Sequence, residues 1–186
     1  MLVSRLRIIN KVLKSFKRSD DEPSNDIEIY ILKSMWVMLM SEFEASIKDK
    51  VESYIDTIKS ERKISEMHIS LLLQNSYGNK KDEVITVQKI LNLYNTKKKD
   101  ITYLNFTRDK KAKYKYTNVK KLFNSLGIFF TDSQEAKLKL LDGIASTRDS
   151  IAHGDYEISI TSKQLKDDVK LINAIFKMLE KKLIAK

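Results

Sequence analysis

Residues 148–153 have the sequence RDSIAH, which brings an arginine and a histidine to nearby positions. A histidine titrates near pH ~6.5 and can move protons to and from oxygen, as RNA cleavage beside a 2′-hydroxyl requires. An arginine supplies a fixed positive charge for the negative charge that grows on the phosphate. We therefore predict that Arg148 and His153 are catalytic residues of metal-independent phosphodiester cleavage. Asp149 or Ser150 would orient these groups or the RNA.

A helix must position these side chains. Its start is predicted at Thr131-Asp132, because Asp132 and Glu135 have the spacing of a capping box. Gly154 is a natural C-terminal stop. Arg148 falls within the apolar stripe of this helix, so its stem should be packed while its guanidinium finds partners or a groove. The stripe consists of Leu141, Ile144, Ala145, Ile151 and Ala152.

The end of this helix decides whether the two side chains can meet. His153 lies five residues after Arg148, which is about 140° around an ideal helix. They share a face only if the last turn unwinds, which Gly154 favours. Asp149 precedes His153 by one helical turn and is predicted to hold or charge the imidazole.

A second arginine and histidine, Arg62 and His68, occur at similar spacing. They lie where the amphipathic pattern of a long helix gives way to a charged connection, and Arg62 is not embedded in an apolar stripe. Because such spacings also arise by chance, the helical context favours Arg148 and His153.

A long early helix is predicted to begin at Asn25, with Glu28 three residues later. Glu44 lies within reach of its apolar side, where a charged carboxylate is costly unless it is paired. We expect Glu44 to lie beside Arg148 in the core and to fix the guanidinium. The alternative is that Glu44 reaches solvent at the edge of the stripe. The apolar side comprises Trp36, Met40, Phe43, Ile47, Val51, Tyr54 and Ile58.

The positive charge of the chain is concentrated in residues 97–121, which we call the basic segment. It holds 10 Lys and Arg against Asp100 and Asp109, a net charge of +8 out of +10 for the whole chain. Lysines could neutralise phosphates while tyrosines stack on unpaired bases, so single-stranded RNA is the predicted partner. The alternatives are a solvated loop or an acidic protein partner. The predicted RNA-binding residues are Lys110, Lys111, Lys113, Tyr114, Lys115 and Tyr116.

Composition indicates one all-α domain over residues 1–186. The chain has 42% hydrophobic residues but only 4 Gly and 1 Pro, so long helices are expected. It has no Cys and only 2 His, which argues against a disulfide framework and a tightly bound transition metal. We expect no cofactor, the alternative being magnesium that supports RNA structure. Its apolar runs are shorter than the ~20 residues of a membrane span, so no membrane partner is expected.

Further helices are predicted on both sides of the basic segment. A basic helix from Leu2 to Lys17 should pack on its own domain or a dimer partner, the alternative being a membrane surface. Thr161 and Gln164 form a capping box for the last helix. Its buried face should be Leu165, Val169, Ile172, Phe176, Leu179 and Leu183, and shorter helices are expected at Met67–Leu73, Val84–Tyr94 and Val119–Ile128.

The motif at 148–153 resembles the R-x4-6-H signature of the HEPN superfamily, and residues 36–48 are similar to the long early helix of stand-alone bacterial HEPN proteins. The resemblance does not extend to residues 61–130. The resemblance implies a HEPN-like helical bundle with long antiparallel helices and a basic middle insertion. It also implies a homodimer whose two motifs face each other in one cleft, and RNA products with a 2′,3′-cyclic phosphate and a 5′-hydroxyl. A cytoplasmic toxin or antiphage system, with an antitoxin or other partner protein, is the setting that it suggests.

Two other functions are compatible with these residues. The chain could be a catalytically weak HEPN module that binds RNA, a nucleotide or a partner protein. It could also be a structural dimerisation domain in which Arg148 and His153 only donate hydrogen bonds across an interface. Both motif residues are present, which favours the enzyme.

Overall fold

The computed structural model describes residues 2, 6–15, 23, 25–60, 86–88, 115–155 and 157–184. These residues include five helices and no strand, which confirms the predicted all-α, HEPN-like fold class. One hydrophobic core contains side chains from every one of these helices. The helices are α1 (Arg7–Ser15), α2 (Asp26–Ser60), α3 (Tyr116–Ser125), α4 (Asp132–Ala152) and α5 (Ser162–Ile184).

The longest helix, α2, begins as its sequence predicts. The side chain of Asn25 accepts a hydrogen bond from the backbone N–H of Glu28 at 3.0 Å, which satisfies one donor of the first turn. Asp26 and Glu28 place negative charge at the positive end of the helix dipole. The whole predicted apolar side is buried, namely Trp36, Met40, Phe43, Ile47, Val51, Tyr54 and Ile58.

Helices α4 and α5 pack against α2. The indole N–H of Trp36 donates to the carbonyl oxygen of Ile144 at 3.3 Å. Lys33, nearer the start of α2, donates to the carbonyl oxygen of Asp155, which follows the end of α4. The earlier residue of α2 thus contacts the later residue at the end of α4, so the two helices run antiparallel. The end of α4 is thereby fixed beside the first turns of α2.

Helix α5 confirms its predicted start and face. Thr161 accepts a hydrogen bond from the backbone N–H of Gln164 at 3.1 Å, as expected of a cap. An ion pair of 2.5 Å between Lys50 and Glu180 joins α5 to α2 at the rim of the core. The predicted face is buried throughout: Leu165, Val169, Ile172, Phe176, Leu179 and Leu183.

Helix α1 packs on α5, and its buried residues are Ile9 and Leu13. This agrees with the prediction that the basic first helix covers its own domain. The described helix extends from Arg7 to Ser15, and the last two residues of the predicted span lie outside the described residues. No helix among the described residues is long and apolar enough to cross a membrane.

The middle of the chain is described only in part. Helix α3 begins at Tyr116, three residues before its predicted start at Val119, and the turn after it contains Gly127 at a φ of 73°. The Arg62 and His68 pair and the predicted helix at Met67–Leu73 lie outside the described residues, as does most of Val84–Tyr94. The same holds for Lys110, Lys111, Lys113 and Tyr114 of the basic segment.

Candidate functional site

Helix α4 carries the Arg148–His153 motif and begins with a capping box. Thr131 accepts a hydrogen bond from the backbone N–H of Gln134, and the Gln134 side chain accepts one from the Thr131 N–H. The predicted box at Asp132 and Glu135 is therefore wrong by one residue. The reason lies outside the helix, because α3 binds the Glu135 carboxylate.

The other end of α4 stops where the sequence predicts. The helix ends at Ala152, and Gly154 adopts a φ of 81°, a left-handed conformation that suits glycine. The N–H of Asp155 donates to the carbonyl oxygen of Ser150, closing the turn. This turn fixes the backbone on both sides of His153.

The buried stripe of α4 is shorter than predicted. Leu141, Ile144 and Ala145 are buried as expected, but Ile151 is only partly covered and Ala152 is exposed. The last turn of α4 lies at the margin of the core, so its apolar side chains are only partly enclosed. The motif therefore lies where the protein interior meets solvent.

Arg148 is the better buried of the two predicted catalytic side chains. Its side chain is 29% exposed, and its Nη1 donates to Oδ1 of Asp149 at 3.3 Å. Its Nε is buried and makes no hydrogen bond to any described residue. Burial of the stem is as predicted. The guanidinium is thus held at one end by a carboxylate and along its length by packing.

Asp149 and Lys115 join Arg148 in a charged cluster. The Asp149 side chain is only 15% exposed, and its Oδ2 lies 3.7 Å from Nζ of Lys115. One carboxylate thus faces two cations. This brings together three of the residues that sequence predicted for the site, one of them from the basic segment.

His153 is the C-terminal cap of α4 and is exposed. Its φ of −86° and ψ of 3° depart from helical values, so the helix ends at this residue. Its backbone N–H donates to the carbonyl oxygen of Asp149 at 2.9 Å. The Asp149 carboxylate lies next to Arg148 and Lys115, and its predicted role in holding the imidazole stays a prediction.

The pairing of Glu44 with Arg148 stays a prediction. Glu44 is partly buried on α2, but the guanidinium pairs with Asp149. Asp149 is the next residue in the chain and accepts a hydrogen bond from Nη1. Ser150 is partly buried, and its backbone carbonyl serves the turn after α4.

Residues 1–185 match the model of one protein family, which is described as RiboL-PSP-HEPN. The chain belongs to the RiboL-PSP-HEPN family. This confirms the resemblance that the motif and the early helix indicated. Searches of curated proteins and of solved structures gave no match. HEPN domains are often ribonucleases, and they often dimerise and bind RNA.

In this HEPN chain a second polar cluster joins α3 to α4. The hydroxyl of Tyr116 donates to Glu135 at 2.6 Å, and Lys120 pairs with the same carboxylate at 2.6 Å. The Tyr116 backbone N–H donates to Asp142 at 2.8 Å. The ammonium groups of Lys120 and Lys139 each lie 5.7 Å from the centre of the Tyr116 ring. Tyr116, predicted for RNA binding, therefore lies at the junction of the two helices.

This junction shifts the protonation of its charged groups. Hydrogen bonds from Lys120 and then from Tyr116 lower the pKa of Glu135. Hydrogen bonds to Glu135 and then to Tyr116 raise the pKa of Lys120. Both shifts favour the charged forms, so the pair is ionised over the whole neutral range.

A cavity of about 370 Å³ opens beside the turn that carries His153. This cavity was not predicted from the sequence. Its α2 residues follow Tyr30 at intervals of three, four and seven, a spacing that places them on one face of the helix, away from the buried stripe. One wall comes from α2, and the opposite wall comes from the end of α4 and the residues after it. The lining residues are Tyr30, Lys33, Ser34 and Val37 on α2, and Ile151, Gly154 and Asp155 opposite.

The described residues contain no group of three or more His, Cys, Asp or Glu side chains that could hold a metal ion. The charged groups around the motif are instead the Arg148, Asp149 and Lys115 side chains.

Proposed function

We propose that this chain is a metal-independent endoribonuclease that cleaves RNA with Arg148 and His153. The observation that carries the proposal is their placement at the solvent edge of α4 in a HEPN-family chain. Arg148 is held by packing and by Asp149, while His153 is exposed at the end of the helix. A fixed cation beside an accessible proton carrier is what phosphodiester cleavage requires.

The reaction needs two proton transfers, which two copies of the chain supply. His153 of one copy takes the proton from the 2′-hydroxyl, and the 2′-oxygen attacks phosphorus. The bond from phosphorus to the 5′-oxygen breaks, and the protonated His153 of the second copy gives its proton to that oxygen. Arg148 stabilises the negative charge on the phosphate oxygens during attack. The products are a 2′,3′-cyclic phosphate and a 5′-hydroxyl.

A two-fold dimer brings two identical motifs to one cleft, since each copy contributes the same surface. The basic segment would hold the RNA backbone next to this cleft. Lys115, at its described end, lies 3.7 Å from Asp149 and so connects the segment to the motif. In this proposal the RNA contacts are Lys110, Lys111, Lys113, Tyr114, Lys115 and Tyr116.

The biological setting is proposed from the family alone. We propose a cytoplasmic toxin or antiphage defence protein whose activity is controlled by an antitoxin or another partner protein. Such control suits an enzyme that cuts RNA without strong sequence preference.

A catalytically weak RNA-binding HEPN module is the second candidate. The observation that favours it is the engagement of Arg148 by Asp149, because a guanidinium paired with a carboxylate is less available to a phosphate. In that case RNA would bind along the basic segment without being cut.

Cleavage of total RNA and transfer RNA in excess EDTA tests the proposal. Arg148→Ala and His153→Ala should each abolish cutting while folding and dimerisation persist. His68→Ala and Arg62→Ala are matched controls from the second arginine and histidine pair, and they should cut as the wild type does. RNA that binds but stays intact would favour the weak module. Cutting that survives both motif substitutions would rule out this site.

A further inference from the structure

We infer that the cavity between α2 and the turn after α4 receives an RNA base adjacent to the phosphate that is cut. This inference rests on the proposed function and assigns a base-binding subsite to it. Nothing in the motif itself would choose between bases, since Arg148 and His153 act on the phosphate and the ribose.

The position of the cavity supports this assignment. Ile151 and Gly154, which flank the His153 position in the chain, form part of one wall. A base bound there would therefore belong to a nucleotide close to the one whose phosphate meets His153. The hydrogen bond from Lys33 to the carbonyl oxygen of Asp155, at 3.2 Å, ties the two walls together.

The size and lining of the cavity suit a flat heterocycle. Its volume of about 370 Å³ falls in the range of small-molecule sites. Val37 and Ile151 provide apolar surface, while the Ser34 hydroxyl and the Lys33 ammonium provide hydrogen-bonding groups near the wall. An apolar lining with a few polar groups is typical of pockets that orient a small ligand.

Tyr30 is the residue that points to a base. It is 74% exposed although it lines the cavity, so most of its ring surface is available for contact. An aromatic side chain stacks on any base with little loss of conformational freedom. The net charge of the chain, +10, would favour a nucleic acid over an uncharged aromatic ligand.

Binding of 2′-O-methyl oligonucleotides tests the inference without cleavage, because they lack the attacking hydroxyl. Fluorescence anisotropy would give Kd for four tetranucleotides, each of one base, and for versions with one abasic position. Tyr30→Ala should raise Kd by roughly 5- to 150-fold. The effect should disappear when the abasic position replaces the bound base. Tyr30→Phe, which keeps the ring, should bind as the wild type does.

Phe129→Ala is the matched control, since Phe129 is also an exposed aromatic residue, at 69%, but lies in the connection between α3 and α4. It should leave Kd unchanged. Stacking is not ionic, so Tyr30→Ala should also leave the salt dependence of Kd unchanged.

Each outcome decides the inference. Equal Kd values for Tyr30→Ala and Phe129→Ala would overturn the base-binding inference. The ribonuclease proposal would not be affected, because the cleavage assay tests it separately. Conversion of a dimer to a monomer by Tyr30→Ala would also overturn the inference, because it would show that this face of the wild-type protein binds a second copy of the chain. Base-dependent loss of binding would establish the subsite even if wild-type protein cut no RNA, an outcome that counts against the ribonuclease proposal alone.

Discussion

Lys115 and Asp149 form an ion pair of 3.7 Å that links the basic segment to the end of α4. The same carboxylate accepts a hydrogen bond from Arg148, so two cations share one negative charge. A phosphate that enters this cluster must compete with Asp149. RNA affinity and the availability of Arg148 are therefore coupled through one side chain.

Asp149→Asn should strengthen the ionic part of RNA binding. The amide keeps the shape of the side chain but removes the charge that faces Lys115 and Arg148. The slope of log affinity against log salt should steepen by about 0.7 for each cation that gains a phosphate contact. Titrations of 2′-O-methyl RNA at several salt concentrations measure this slope. Asp132→Asn, at the opposite end of α4, makes the same charge change, and equal slopes for both variants would contradict the prediction.

Tyr116 should respond differently to loss of its hydroxyl and loss of its ring. Tyr116→Phe removes the hydrogen bond to Glu135 but keeps the ring beside Lys120, so it should lower Tm by a few degrees and leave RNA affinity unchanged. Tyr116→Ala should lower both the Tm and the affinity for RNA. Thermal unfolding and RNA anisotropy separate the two effects. An unchanged Tm in Tyr116→Phe would mean that this hydroxyl does not stabilise the junction of α3 and α4.

The helices that hold the site could be predicted from sequence because local signals determine them. Asn25 and Thr161 cap α2 and α5 through backbone groups only three residues away. Gly154 ends α4 through its own conformation. Periodic apolar residues then identify the buried face without knowledge of its partners. These features need no tertiary information.

The details of the site depend on contacts that sequence spacing does not contain. Glu135 and Gln134 are both suited to a capping box, and Lys120 and Tyr116 decide between them by binding Glu135. Arg148 likewise has a partner in the neighbouring Asp149 that the apolar spacing did not indicate. A choice between two chemically similar partners requires the positions of other helices. The cavity also arises only when α2 meets the turn after α4.

Gly143, within α4, and Gly154, in the turn after it, should respond to alanine with opposite changes in stability. Gly154 has a φ of 81°, so Gly154→Ala should lower the free energy of unfolding by about 1–2 kcal/mol and slow cleavage by moving the His153 turn. Gly143 is helical, and outside the adjacent backbone of its own helix no described atom lies within 4 Å of an added Cβ. Gly143→Ala should therefore raise the free energy of unfolding by about 0.5–1 kcal/mol. Urea denaturation measures both changes, and a shared sign would contradict the assigned backbone conformations.

Asp168 on α5 should make the chain less stable as pH rises. Burial, and to a smaller extent the neighbouring Asp167 carboxylate, raises the pKa of Asp168 to about 6 from an ordinary value of 3.8. The folded chain thus retains a proton that the unfolded chain has already released between these two values. Stability contributed by this proton is present at low pH and is lost as pH rises through about 6.

Asp168→Asn removes the ionisable group and should raise the free energy of unfolding at about pH 7. The gain should be roughly 1 kcal/mol, because the side chain is only about half buried and solvent screens its charge. It should shrink toward zero at about pH 4, where the wild-type carboxyl is protonated in the folded state. Urea denaturation across this range measures the difference. Asp56→Asn, on an exposed position of α2, is the control. A gain of equal size at both pH values would show that the amide stabilises α5 for a reason other than the buried charge.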